Sequence, residues 1–252
     1  MTTISPLKEP VRQASPRLSP CEACTVRDLS VCGALEPQDL DLLNGIVSNV
    51  RYSPGQAIFF EADQADSLFV ITGGCVRLHK LMADGRRQIT GFMLPSDFLG
   101  LALHDTYATT AEAVNDVSTC RFMRRGFETL LEEFPQLEKR LLQRASNELA
   151  AMQDQMLLLG RKSAQEKLGT FLMALAHRAA RKGNPHVELE LPMTRHDIAD
   201  YLGLTVETVS RCFTRLRRQG VIEISDPHGV RLADMGRLAE LSGLDVLEKE
   251  EV

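Results

Sequence analysis

The sequence predicts an α+β chain in which an antiparallel β jelly roll gives way to one long helix and then to a small helical unit with short strands. Three observations carry this. Between residues 50 and 125, short apolar runs ("AIFF", "SLFVI", "CVRLHKL", "QITGFML") alternate with turn signals ("SPGQ", "EADQADS", "TGG", "LPSD"), the pattern of a small barrel or jelly roll. From 135 to 160, apolar residues recur at helical spacing without a break. From 194 onward, two short helical patterns are joined by one glycine and followed by the strand-like runs "VIEIS" and "VRLA".

Residues 1–20 carry Pro6, Pro10, Pro16 and Pro20 and lack the apolar run of a signal peptide, so they read as a flexible arm. No stretch of the 252 residues approaches the roughly 18 apolar residues of a membrane span. With 44% hydrophobic and 25% charged residues there is ample material for a core without disulfides. These features predict a cytoplasmic protein with no membrane partner. Cys21, Cys24 and Cys32, half of the six cysteines, then fall within twelve residues. In a reducing compartment such a cluster points to metal or redox chemistry.

Residues 37–49 show helical spacing at Leu40, Leu43 and Ile46/Val47. "ADGR" between two alternating runs predicts a hairpin, because Asp-Gly tolerates positive φ. Pro135 suits the first turn of a helix, and the 26 residues to Gly160 would span about 39 Å. On that helix Leu142, Ala145, Leu149, Met152, Met156 and Leu159 step by 3, 4, 3, 4, 3. The face packs either on its own barrel or on a second copy. So narrow and long a stripe favours the seam of a homodimer. A second helix follows, with Leu168, Phe171, Leu172, Leu175 and Ala179 on one face; "GNP" ends it and "HVELEL" reads as a strand.

Thr194 is placed to cap a short helix bearing Ile198, Ala199 and Leu202. Gly203 makes a turn, and Thr205 caps a second helix that turns Val206, Val209, Phe213 and Leu216 inward. Helix, glycine turn, helix is the helix-turn-helix unit, and the two strands after it form a wing. Glu207, Ser210 and Arg211 share one face of the second helix at i, i+3 and i+4. There they can read base edges: Arg bidentate to guanine, Glu to cytosine N4, and Ser to several edges. Arg215, with Thr194 and Arg195 at the first helix's start, suits phosphate contacts. Double-stranded DNA is therefore the expected partner. The net charge of −5 argues against indiscriminate binding, yet four arginines against one glutamate lie between 206 and 220. From 233 to the end, six acids outnumber two bases, and this tail reads as a solvated helix with a frayed end.

"LTVETVSR" with its wing, the long seam helix before it and the N-terminal jelly roll together resemble the CRP/FNR superfamily of bacterial transcription regulators, over roughly residues 21–245. The resemblance implies a cyclic-nucleotide-binding-like jelly roll, a dimerisation helix and a winged helix-turn-helix. It divides the chain into an arm (1–20), a sensor lobe with jelly roll (21–134), a dimerisation helix (135–160) and a DNA-binding domain (161–252). It also implies a regulator, not an enzyme, with RNA polymerase as a further partner. The E-x-x-S-R motif is similar to that of the FNR branch, whose Glu, Ser and Arg read TTGAT half-sites. Carried over, these are Glu207, Ser210 and Arg211. The "ADGRRQ" hairpin corresponds to a polymerase-contacting loop of that branch, although Arg86 and Arg87 stand where the enteric type has acids.

In the cyclic-nucleotide branch a Glu and an Arg-Ser pair hold the ligand. Here Leu101 follows Gly100, Thr109-Thr110 occupy the Arg-Ser region, and no Arg lies between Arg87 and Arg121. A buried phosphate would lack its counter-charge, so cyclic nucleotide is not the expected ligand. The FNR branch instead implies a [4Fe–4S] cluster on three N-terminal cysteines and one from the last barrel strand. Those would be Cys21, Cys24, Cys32 and Cys120. The C-x2-C-x7-C spacing is similar to that of FnrN- and FnrL-type regulators. Spacing alone also suits a structural zinc. A redox-catalytic C-x-x-C fits less well because it belongs in a βαβ setting. Cys75 and Cys212 read as small buried side chains. At the seam, where the enteric type has an Asp, this chain has Met152, with Asp154 off the stripe.

Overall fold

The computed structural model describes residues 19–102, 105–181, 188–226 and 228–243. Most of the arm, the "GNP" helix end, part of "HVELEL", Pro227 of the wing turn and most of the acidic tail lie outside the described residues. After two turns bearing the cysteines, Pro37–Asp39 forms a 3-10 turn and α1 runs Leu40–Ile46. The helix expected over 37–49 therefore stops early. Val47 leaves the helical region with ψ 143° and opens β1 (Val47–Tyr52), which pairs antiparallel with β8 (Val117–Met123), Asn49 opposite Cys120. Sheet pairing of these positions with β8 overrides a weak local helical pattern.

Between them lie β2 (Ala57–Phe59), β3 (Ser67–Gly73), β4 (Val76–Leu81), β5 (Arg87–Met93), β6 (Phe98–Leu99) and β7 (Thr110–Ala113). Among the described residues they form two four-stranded antiparallel sheets, ordered β1-β8-β3-β6 and β2-β7-β4-β5. The interior is filled by Phe59, Phe69, Ile71 and Tyr107. The Phe59 and Tyr107 rings stack with centroids 3.8 Å apart, and the Tyr107 hydroxyl donates to the Ser67 carbonyl at 2.7 Å. The β4–β5 hairpin turns at Gly85, φ 83°, as Asp-Gly predicts.

α2 (Arg124–Glu133) has no counterpart among the sequence expectations. It follows β8 directly, with Gly126 in its first turn. That glycine allows close packing: a Cβ there would meet the Ile46 side chain at 3.2 Å. Pro135 then opens α3 (Pro135–Arg161) at its first turn. α3 buries its foot through Leu137, in one core with Phe98, Phe122, Phe127 and the cysteine lobe. Leu142, Leu149, Met152 and Met156 of the stripe stand exposed along its length. Ala145 is partly covered, and Leu159 packs at the DNA-binding core.

The C-terminal unit comprises α4 (Ala164–Arg181), β9 (Glu188–Glu190), α5 (Arg195–Leu202), α6 (Val206–Arg218), β10 (Ile222–Ile224), β11 (Gly229–Leu232) and α7 (Met235–Leu241). The wing joins β9 as a three-stranded sheet, β10-β11-β9. α7 is not the solvated helix expected from its acids. Leu238 and Ala239 are buried against α4, where Gly169 leaves room for Ser242. One core joins this unit to the outer face of the barrel, with Cys75, Ile89 and Phe92 among Leu172, Ile198 and Leu202. Among the described residues no helix is long and apolar enough to cross a membrane.

Candidate functional site

The segment between Cys24 and Cys32 folds tightly on itself. The Ser30 hydroxyl donates to the Arg27 carbonyl at 2.8 Å and accepts from the Cys32 N–H at 3.3 Å, capping the 3-10 turn Val31–Ala34. Gly33 is required there: a Cβ would lie 2.9 Å from the Arg27 carbonyl oxygen and the Asp28 Cα. This folding turns Cys21, Cys24 and Cys32 toward Cys120 on β8, and all four line one pocket. Its other walls are mainly apolar, from Leu43, Val47, Val70 and Phe122, with Arg27 at the side. Cys120 Sγ donates to Asn49 Oδ1 at 3.5 Å across the β1–β8 pair. The Cys21 N–H donates to Asn44 Oδ1 at 3.3 Å, and the Asn44 Nδ2 is buried with no partner. A spare donor thus sits beside the first cysteine. All six cysteines are free thiols; Cys75 and Cys212 are buried elsewhere, in the core shared with the C-terminal unit.

Burial in the pocket resists ionisation of Cys21, Cys32 and Cys120. Burial, and then the proximity of Cys24, Cys32 and Cys21, pushes Cys120 up to about 12. Burial pushes Cys32 up to about 11, with Cys21 and Cys24 adding to it against the Ser30 hydrogen bond. Cys21 is raised by burial and by Cys24. A cation among the sulfurs would favour their thiolate forms. Among the described residues, no three His, Cys, Asp or Glu converge closely enough to hold a single metal ion. The lobe also touches the long helix: the Arg140 guanidinium donates to the Asp28 carbonyl, and Val31 shares a core with Leu137.

The second half of the site is α6. Thr205 caps it, accepting from the Thr208 N–H at 3.2 Å. Val209, Phe213 and Leu216 are buried as expected, Val206 only partly. Glu207, Ser210 and Arg211 all face solvent. Hydrogen bonds from its own backbone N–H and from Thr205 hold the Glu207 carboxyl below the usual range, and Arg211 adds to this. The residues expected at phosphates are partly engaged within the protein. Thr194 forms a capping box with Asp197. The Arg195 guanidinium lies 3.4 Å over the Phe213 ring, and Arg215 donates to Gln165 Oε1 at 3.2 Å.

A set of contacts without warning in the sequence joins barrel to helix-turn-helix. Arg77 on β4 and Arg87 on β5 both bond Asp197, and Arg87 also bonds Asp200. Arg87 of the "ADGRRQ" hairpin is therefore engaged within the protein, whereas Arg86 pairs locally with Asp84. These partners are separated by 110 to 120 residues, beyond the reach of any local pattern.

A cyclic nucleotide-binding domain model matches residues 49–134 and a Crp-like helix-turn-helix domain model matches 166–241. The transcriptional activatory protein AadR of Rhodopseudomonas palustris is 46% identical over 88% of this chain and 93% of its own length. The chain belongs to the CRP/FNR family. Other members include FnrL of Cereibacter sphaeroides, described as a transcriptional activator protein and 38% identical over 89% of this chain and 92% of its own. The structure of FixK2 from Bradyrhizobium japonicum superposes with a TM-score of 0.73 at 36% identity, covering 78% of this chain and 97% of that one. Family membership brings a helix-turn-helix DNA-binding domain and the architecture of a regulator rather than a catalyst.

Proposed function

We propose that this protein is an oxygen-responsive transcription activator that binds palindromic TTGAT-type promoter sites as a homodimer while a [4Fe–4S] cluster is held by Cys21, Cys24, Cys32 and Cys120. The observation that carries the reading is the convergence of those four thiols, from a lobe and from β8, on one pocket at the foot of α3. The resemblance to the FNR branch favours a cluster with one thiolate per iron over one tetrahedral zinc. When bound, the cluster supplies an oxygen-labile tie between lobe and barrel. The Arg140 contact and the Val31–Leu137 core relate the position of the lobe to α3. The exposed stripe of α3 is the surface on which a second copy pairs. Two copies of α6 then present Glu207, Ser210 and Arg211 to half-sites about one helical turn apart. An activator's further partner is RNA polymerase. Cyclic nucleotide is disfavoured by the lack of an arginine near Thr109-Thr110 and by the aromatic filling of the barrel.

Iron and acid-labile sulfide in anaerobically purified protein test the proposal. About four of each per chain are expected. Zinc without sulfide would replace the cluster reading with a structural metal and a different signal.

A further inference from the structure

The recognition unit is fastened to its own barrel by buried charge. Arg77 Nη1 lies 3.1 Å from Asp197 Oδ1, and Arg87 Nη2 lies 2.8 Å from the same oxygen. Arg87 Nε and Nη2 reach Asp200 Oδ2 at 2.9 and 2.8 Å. Gln88 Nε2 donates to the Asp200 carbonyl at 2.7 Å. The Asp197 side chain is only 3% exposed. Its second oxygen accepts from the Thr194 N–H and hydroxyl at 3.1 and 2.7 Å, closing the N-terminal cap of α5. One carboxylate thus ties the first turn of the helix-turn-helix to two adjacent barrel strands. Glu112 braces Arg77 from behind, and His196 lies 3.3 Å from Asp200.

Three further contacts brace the attachment. Arg178 on α4 donates to the Phe92 carbonyl and pairs with Asp97 in the β5–β6 turn. The Phe92 ring packs 5.3 Å from Tyr201 at the end of α5. Gln155 of α3 donates to the Tyr201 carbonyl at 3.1 Å. The helix-turn-helix is therefore held between barrel and long helix, and α6, packed on α5, takes its angle from that seat. None of these residues belongs to the base-reading set Glu207, Ser210 and Arg211.

We propose that Arg77, Arg87, Asp197 and Asp200 are positioning residues that fix the angle of α6 against α3, and so determine which half-site spacing the dimer accepts. The inference rests on the reading of the protein as a DNA-binding homodimer. A dimer reads its palindrome through two rigid arms, and the arm angle selects the spacer. A loosened clamp lets α6 swing, so that a misplaced half-site is met at smaller cost while contacts within each half-site stay the same.

The test uses full-length, anaerobically prepared protein and TTGAT palindromes whose central spacer is natural or lengthened by two base pairs, with a third palindrome carrying one base change per half-site. Arg87→Gln avoids stranding Asp197, which keeps Arg77. For Arg87→Gln we expect the spacer discrimination of the wild type to fall about tenfold, the scale of coupling in an ion-pair network. Discrimination against the base change should stay within about twofold, since well-separated positions add independently. Arg87→Lys, which keeps a positive charge beside Asp197 and Asp200, should retain much of the spacer discrimination. Spacer discrimination unchanged in a folded Arg87→Gln protein would overturn the proposal. So would equal loss on all three DNAs, which is the mark of a merely structural role. A wild type that shows no preference for a palindrome over a single half-site would instead defeat the dimer reading beneath it.

Discussion

Leu149→Ala is the sharpest probe of the exposed stripe on α3. Leu149 keeps 60% of its surface open in the single chain. Fully burying a leucine side chain is worth roughly 1.5–3 kcal/mol, so covering the remainder contributes about 1–2 kcal/mol per copy and roughly twice that per symmetric dimer. Alanine retains part of the contact, so the substitution should weaken the dimer by about 10- to 100-fold, at 1.4 kcal/mol per tenfold. Leu157→Ala is the control. Leu157 is 64% exposed on the same helix but lies off the 142–159 stripe, and its replacement should change the dissociation constant by less than about threefold. Sedimentation equilibrium on cluster-free protein at micromolar concentration reads both. Met152, apolar where a carboxylate would repel its symmetry mate, predicts a dimer persisting in this cluster-free state. Equal effects of the two leucine substitutions would refute the seam, and a clean cluster-free monomer would refute the reading of Met152 or assign the repulsion to another charge such as Asp154 or Glu148.

Replacing any one of Cys21, Cys24, Cys32 or Cys120 with Ser should abolish cluster iron, because an alcohol is a poor substitute for thiolate. Cys75→Ala and Cys212→Ala should leave it intact, and iron analysis separates the cases. Arg211→Ala should cost roughly 1–3 kcal/mol at a TTGAT half-site and much less on random DNA, as measured by competition binding. Equal losses on both would make Arg211 a phosphate contact. Asp197 gives a pH signature. Burial pushes its carboxyl up, but the Thr194 hydrogen bonds and Arg77 and Arg87 outweigh that and leave it below its ordinary value of 3.8. A carboxyl depressed in the folded state contributes stability that is complete above the ordinary range and is lost as pH falls through the lower folded value. The Tm difference between wild type and Asp197→Asn should therefore narrow as pH drops below about 4.

Periodicity made the jelly roll, the long helix and the helix-turn-helix legible, since each has a period and punctuation of its own. Thr194, Gly203 and Thr205 sit where capping chemistry places them, with Gly203 at φ 61°. Local pattern failed where tertiary contact decided the outcome. Val47–Asn49 of the helical-looking stretch joined β1 because β8 was there to pair with. α2 had no counterpart in the sequence pattern; Gly126 in its first turn packs closely on Ile46. Met235–Leu241 looked solvated from its charges but buries Leu238 and Ala239. The four cysteines could be grouped from sequence only through the family resemblance, because Cys120 lies 88 residues beyond Cys32. The Arg77–Arg87–Asp197–Asp200 clamp had no such guide, since charged residues at ordinary spacing look like solvated surface until the fold brings them together.

Oxygen titration of the anaerobic protein tests the link between thiol pocket and DNA most directly. Visible cluster absorption and the fraction of a fluorescent TTGAT palindrome bound are followed in the same cuvette. If the four-thiol pocket controls DNA binding, both signals fall together with the same dependence on added oxygen, and a cluster-free Cys120→Ser protein starts at the oxidised level of binding. DNA affinity that stays constant while the absorption bleaches, or wild-type affinity in Cys120→Ser, would contradict it.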